Sequence, residues 1–160
     1  MQDSSEGTHV ESSLAGRIDG FLFTLTRFGR DPSKYSASAE LCQLPGRDIA
    51  AEYIELIESS DDPVPISIND LSLQSGRFRF LEDTLSSFLR EAMARPDGAE
   101  PNEDAIGLAT WYLIEYISSM SDPLGQIYSA KLSIDGRTSD CIFITCSEQL
   151  LVIRMHTEEA

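Results

Sequence analysis

Basic residues are scarce in this sequence, and two long segments contain none. The chain has 160 residues, with 27 Asp and Glu against 12 Lys and Arg, which gives a formal net charge of −15. No Lys or Arg occurs in residues 48–76 or in residues 96–130. Because nucleic acid and anionic membrane surfaces repel such a chain, we expect neither as a partner. A basic protein partner, or one without charge, is favoured.

Cysteine and histidine are also few, which limits the chemistry that the chain offers. The cysteines Cys42, Cys141 and Cys146 are odd in number and lack metal-ligand spacing, so buried, reduced thiols are expected. The only histidines, His9 and His156, lie in no recognised nucleophile motif. The sequence contains no glycine-rich phosphate loop. We therefore predict no catalytic residue, no metal site and no cofactor.

Long apolar runs are missing as well. No segment is long and apolar enough to span a bilayer, and the N-terminus has no basic region followed by an apolar one. A cytoplasmic protein is therefore expected. Apolar residues make up 41% of the chain and charged residues 24%, which is typical of a globular protein. We predict a flexible acidic tail at residues 1–12 and a single domain over residues 13–160.

Apolar residues with helical spacing predict four helices, over about residues 14–28, 47–59, 77–94 and 103–120. Ser12 or Ser13 is the expected N-cap of the first helix. A strand remains the alternative there, because Phe21, Phe23 and Leu25 also alternate.

The fourth helix gives the strongest periodic signal. Its main stripe is apolar, and Leu108, Trp111 and Ile114 add apolar residues on the remaining sides. A helix that is apolar nearly all round is usually central to the core. Asp104 is one candidate N-cap, and Glu103 is suited to the first turn. Core packing is expected to explain the aromatic residues.

The remaining pattern predicts strands. After Pro123 the apolar period changes to two, which predicts a half-buried strand near residues 128–134. Residues 141–146 are apolar on both faces and predict the middle strand, and residues 150–155 predict a third strand. Ile66 and Ile68 indicate a short edge strand, since prolines precede them. Residues 30–46 are predicted to be a connector. The expected fold is α+β, with about four helices followed by a C-terminal three-stranded antiparallel meander.

The second helix has the clearest separation of apolar and acidic sides. At 100° per residue, Tyr53, Ile54 and Ile57 fall on one side and the carboxylates on the other. That arrangement predicts a solvated acidic face suited to a partner. The predicted partner-binding residues are Asp48, Glu52, Glu55, Glu58, Asp61 and Asp62, extended by Asp97, Glu100, Glu103 and Asp104.

Several functions fit this acidic surface. We expect a non-enzymatic binding protein of the immunity or antitoxin kind, which neutralises a basic toxin by direct binding. A nuclease is one such toxin, since it must be basic to hold phosphates. The alternatives are a dimeric secretion chaperone or adaptor, an enzyme with an unrecognised site, and a surface that serves solubility alone. Both a monomer and a homodimer remain open.

Overall fold

A computed structural model describes residues 4–27, 33–43, 49–58, 64–94, 102–120, 125–146 and 149–158. The side chains of residues 4–12, Glu52 and Leu56 are not among those described. The helices of this part of the chain are α1 (Ser4–Arg27), α2 (Ile49–Glu58), α3 (Arg77–Ala92) and α4 (Glu103–Met120). Its strands are β1 (Tyr35–Gln43), β2 (Ile66–Leu73), β3 (Ile127–Ile134), β4 (Arg137–Cys146) and β5 (Gln149–Thr157).

The strands form one antiparallel sheet in the order β1-β5-β4-β3-β2. The predicted α+β class is confirmed, and β3, β4 and β5 form the predicted meander at the centre of the sheet. Asp135 and Gly136 join β3 to β4 with φ of 51° and 77°, as a two-residue hairpin turn requires. The sheet is not limited to the predicted C-terminal three-stranded meander, because β1 and β2 precede the meander and extend the sheet to five strands.

The sheet separates two clusters of buried side chains. Helices α1, α3 and α4 pack on one face, where Ile142 and Ile153 point inward. Helix α2 packs on the other face, over Phe143 and Val152. Both faces of β4 from Cys141 onwards and of β5 from Leu150 to Ile153 are therefore buried, which explains the apolar runs in these segments.

Helix α1 confirms the helical interpretation over the strand. Its buried stripe includes Ala15, Ile18 and Leu22. The predicted N-cap at Ser12 or Ser13 is wrong, since the helix begins at Ser4. Residues 8–13 contain neither Pro nor Gly, so nothing in the sequence interrupts the helix there. The predicted division into a tail and a single domain stays a prediction.

Helix α1 also covers one edge of the sheet, because it lies along β1. The backbone N–H of Ala39 in β1 donates a hydrogen bond to Asp19 Oδ1 at 2.8 Å. The unpaired backbone groups of an edge strand otherwise attract other strands. Asp19 therefore helps to close this edge.

Strand β1 replaces the connector predicted over residues 30–46, and that prediction is wrong. Its register runs from Tyr35 opposite Thr157 to Gln43 opposite Gln149. Ser and Ala occupy much of β1, so its local strand propensity is weak. Pairing with the distant strand β5 stabilises it instead.

Strand β2 forms the opposite edge, as predicted from Ile66 and Ile68, and continues to Leu73. Its register with β3 shifts between Asn69 and Ser72, where Asp70 has a φ of 57°. This β-bulge is a common feature of edge strands, because it twists the edge and discourages further pairing.

Candidate partner-binding surfaces

A single aromatic residue anchors α2 to the sheet. Tyr53 is fully buried and packs edge-to-face on Phe143, with ring centroids 5.4 Å apart. Its hydroxyl donates a hydrogen bond of 2.6 Å to Glu40 Oε1 on β1. Ile49 and Ile57 pack beside it. The predicted apolar side of this helix is thus confirmed as its docking side.

The polar end of this anchor is held in place by charge. Arg154 Nη2 on β5 lies 3.9 Å from Glu40 Oε1, so the acceptor of the Tyr53 hydrogen bond has a cationic neighbour. Burial, reinforced by the hydrogen bond to Glu40, raises the pKa of the Tyr53 hydroxyl well above its ordinary value. A tyrosine hydroxyl is protonated at neutral pH in any case, so the raised pKa extends the role of Tyr53 as a donor into alkaline solution.

The acidic side of α2 faces away from this anchor. Glu55 and Glu58 are both exposed. Among the described side chains, neither has an ion-pair partner within 4.0 Å. Three residues apart on a helix, they are neighbours on its surface. The other residues predicted for this surface, Asp48, Glu52, Asp61 and Asp62, lie outside the described side chains.

The acidic residues at the start of α4 have a different environment. Glu103 forms a two-point ion pair with Arg90 of α3, with N–O distances of 2.9 and 3.0 Å. These hydrogen bonds hold the pKa of the Glu103 carboxyl below its usual value. Asn102 Oδ1 accepts hydrogen bonds from the backbone N–H groups of Asp104 and Ala105, so Asn102 is the N-cap and the proposal of Asp104 is wrong.

The two predicted groups of carboxylates do not meet. Glu55 and Glu58 lie on α2, on one side of the sheet, whereas Glu103 and Asp104 lie on α4, on the other side. Asp97 and Glu100 are outside the described residues. Within the described chain, the acidic face of α2 is thus a separate surface from the beginning of α4.

Helix α4 carries an exposed apolar face that the sequence analysis assigned to the core. Leu108, Trp111 and Tyr112 are 56%, 53% and 42% exposed. The buried side of α4 includes Ile106, Leu113 and Ile117. The expectation that this helix is surrounded by core is therefore wrong, because α4 buries one side only.

A signal for this exposed face was present in the sequence. Asp104 and Glu115 share the helical side that contains Leu108 and Trp111, at intervals of three, four and seven residues. Both carboxylates are exposed. Because ionised carboxylates are rarely buried without a partner, their presence on that side indicates contact with water.

A cleft lies where the central strands separate. Pairing between β4 and β5 ends at Asp140 and Met155, while β4 stays paired with β3 as far as Arg137. The resulting cleft has a volume of about 460 Å³. Lys131 forms an ion pair with Asp140, and Arg137 forms one with Glu158. These carboxylates neutralise the cations, so the cleft is not a strong site for an anion.

His156 lies beside this cleft, near a serine and a carboxylate. Its Nδ1 atom is 3.0 Å from the Thr138 carbonyl oxygen and 3.4 Å from Ser139 Oγ. A carbonyl oxygen only accepts, so Nδ1 carries the proton and does not act as a base towards Ser139. Nε2 lies 4.0 Å from Glu158 Oε2. This geometry does not form a nucleophilic triad, and the expected lack of enzymatic activity stays a prediction.

The three cysteines are free and buried, as predicted. Cys141 and Cys146 point to opposite faces of the sheet. Burial raises the pKa of the Cys42 and Cys141 thiols to about 12, which disfavours the reactive thiolate. The described residues include no group of three or more His, Cys, Asp or Glu placed to hold a metal ion. Among the described helices, none combines the length and apolarity needed to cross a membrane.

No known protein family, curated protein or solved structure matches this chain.

Proposed function

We propose that this chain is a non-enzymatic binding protein that inhibits a basic partner protein, in the manner of an immunity protein or antitoxin. The observation that supports it best is the geometry of α2. The buried Tyr53 fixes this helix on the sheet, while Glu55 and Glu58 project into solvent without a described cationic partner. Carboxylates held in this way are available to another molecule.

A fixed pair of carboxylates acts mainly through the rate and selectivity of encounter. Complementary charge speeds association and disfavours partners of the same sign more than it adds affinity. The lack of Lys and Arg in residues 48–76 leaves this segment without cations of its own. A protein that binds nucleic acid presents a basic surface to phosphates. The carboxylates of α2 compete with phosphates for such a surface.

The test first asks whether a gene beside this one encodes a basic protein, and then measures the association rate of the purified chain with that protein. Glu55→Lys together with Glu58→Lys should slow association about tenfold or more at low ionic strength, because steering is replaced by repulsion. The loss should shrink as salt is added. Stopped-flow fluorescence at several salt concentrations gives both quantities.

A matched control reverses the same number of charges elsewhere. Glu82 and Asp83 are exposed on α3, on the other side of the sheet. Glu82→Lys together with Asp83→Lys should slow association much less. If both double variants slowed it equally, only net charge would matter and the α2 surface would be rejected. Absence of a complex with the basic protein would reject the inhibitor function itself.

A dimeric secretion chaperone or adaptor is the second candidate. The exposed apolar face of α4 favours it, since proteins that hold an effector present such a surface and self-associate. An apolar face of this kind has no role in the charge-based proposal for α2. A chain that stayed monomeric at every concentration would remove this candidate.

A further inference from the structure

We infer that the exposed faces of α1 and α4 together form the interface of a two-fold dimer of this chain. The inference does not rest on the inhibitor function; it deepens the adaptor alternative. The inhibitor proposal depends on α2, on the opposite face of the sheet, and is tested with a different molecule. A negative result for the dimer therefore does not reject the inhibitor proposal, and a negative result for the inhibitor proposal does not reject the dimer.

The centre of this interface is the apolar face of α4. Trp111 and Tyr112 follow Leu108 by three and four residues, so all three lie on one side of the helix. The rings of Trp111 and Tyr112 are in contact, with centroids 5.1 Å apart. Exposed Trp and Tyr side chains on a packed helix are the residues that most often dominate binding energy.

The surface continues from α4 onto α1. Tyr112 contacts Phe21 of α1, with ring centroids 6.2 Å apart. Phe23 is also exposed, but it lies about 200° round α1 from Phe21, on the side that contains Gly16 and Gly20. A stable interface covers about 800 Å² per partner, so we expect the contact to include α1 as well as α4. Gly16 and Gly20 are exposed beside Phe23, and an added Cβ at either would meet nothing within 4 Å. Because these two residues have no side chain, another helix can approach the backbone of α1 closely at this point.

The charges of α1 and α4 favour a second copy of this chain as the molecule that binds this surface. The exposed charges of α1 in its described side chains are Arg17 and Arg27, whereas α4 exposes Asp104 and Glu115. Neither arginine has a described ion-pair partner. In an isologous dimer the same surface meets itself, so it must carry both signs. The net charge of −15 opposes indiscriminate association, and α1 supplies local cations that offset it.

The first test needs only the purified full chain. Its mass by light scattering should be about twice the chain mass of 17.7 kDa at high concentration. Trp111 is the only tryptophan. On dilution to the monomer, its emission should therefore shift to longer wavelength as water reaches the ring. A monomer mass at every concentration, with a constant emission wavelength, would overturn the inference.

A matched pair of leucine variants locates the interface. Leu108→Glu should raise the dimer dissociation constant by about 30-fold or more, since it places a charge in the apolar centre. Leu73→Glu is the control, because Leu73 is also a leucine and is 54% exposed. It pairs with Tyr128, which packs on the α2 side of the sheet. Equal weakening by both variants, or a dimer that Leu108→Glu leaves intact, would contradict this interface.

Exchanging the charges of α1 and α4 tests whether α1 of one copy attracts α4 of the other. Replacing Arg17 and Arg27 by Glu should weaken the dimer, because both helices would then be acidic. Adding Asp104→Lys and Glu115→Lys to that variant restores opposite signs and should recover most of the association. Circular dichroism of each variant confirms folding. Failure of the second set to recover any association would overturn the paired arrangement of α1 and α4.

Discussion

Cys42 and Cys141 are buried on the α2 side of the sheet, and burial raises the pKa of both thiols from 9.0 to about 12. A folded-state pKa above the unfolded value stabilises the protein fully below the unfolded pKa. That stabilisation is lost as pH rises through the folded value. We expect the free energy of unfolding to fall between pH 9 and pH 12, by roughly 1 kcal/mol per thiol for each pH unit. Urea titrations at a series of pH values measure this decrease.

The control for this prediction is the double variant Cys42→Ala, Cys141→Ala. Its stability at neutral pH should be lower, because each substitution removes buried sulfur. Its alkaline decrease should nevertheless be shallower, since only the remaining groups titrate. Titrations just above pH 9 separate the thiols from the tyrosines, which ionise near pH 10 in the unfolded chain. Parallel pH profiles for the two proteins would show that the thiols are not responsible.

Helix α1 contains two glycines that its packing does not require. Gly16 and Gly20 are exposed in the helix interior, with no atom within 4 Å of an added Cβ. Glycine costs a helix about 0.5–1 kcal/mol relative to alanine through its conformational freedom. Gly16→Ala and Gly20→Ala should therefore each raise the free energy of unfolding by about that amount. Urea unfolding at low protein concentration measures this for the monomer.

Gly125 provides the opposite case. A Cβ at Gly125 would overlap both the side chain and the backbone of Thr145. Gly125→Ala should therefore destabilise the fold, in contrast to the two substitutions in α1. If all three alanine variants changed stability in the same direction, the explanation from available space would be wrong.

The sequence predicted the elements that depend on local pattern. The helical stripes of α1 to α4, the period of two in β3 and the short apolar runs of β4 and β5 lie within short segments, so each can be recognised on its own. Strand β1 depends on residues more than a hundred positions away, and its Ser and Ala side chains give no local sign of this. The exposure of Trp111 depends on which neighbours α4 receives, and its one local sign is the presence of Asp104 and Glu115 on the same side of the helix.

The two segments without Lys or Arg, residues 48–76 and 96–130, also show what a local pattern does not reveal. Their composition identifies the charge, and the period of α2 correctly predicts exposure of Glu55 and Glu58. The sequence does not say which face of the sheet each helix covers. Only the assembled fold shows that α2 and the beginning of α4 lie on opposite sides. The described carboxylates of the predicted partner-binding surface therefore lie on two separate surfaces.

The net charge of −15 should make stability depend on salt. Repulsion among carboxylates destabilises the compact state, and salt screens it with a Debye length of about 10 Å at 0.1 M. We expect the urea midpoint to rise as NaCl is raised from near zero to about 0.2 M. The variant with Glu55→Lys and Glu58→Lys carries less net charge and should respond less. An equal response in both would indicate an ion effect unrelated to net charge.

The pairing of β1 with β5 has a consequence for synthesis. Tyr35 pairs with Thr157, so β1 must wait for a strand that is made more than a hundred residues later. While the ribosome adds the intervening residues, β1 and the helices that rest on the meander have no sheet to join. Contacts between distant segments of a chain form slowly. The nascent chain therefore exposes apolar helix surfaces until β3, β4 and β5 have emerged, and the sheet can be completed only after that.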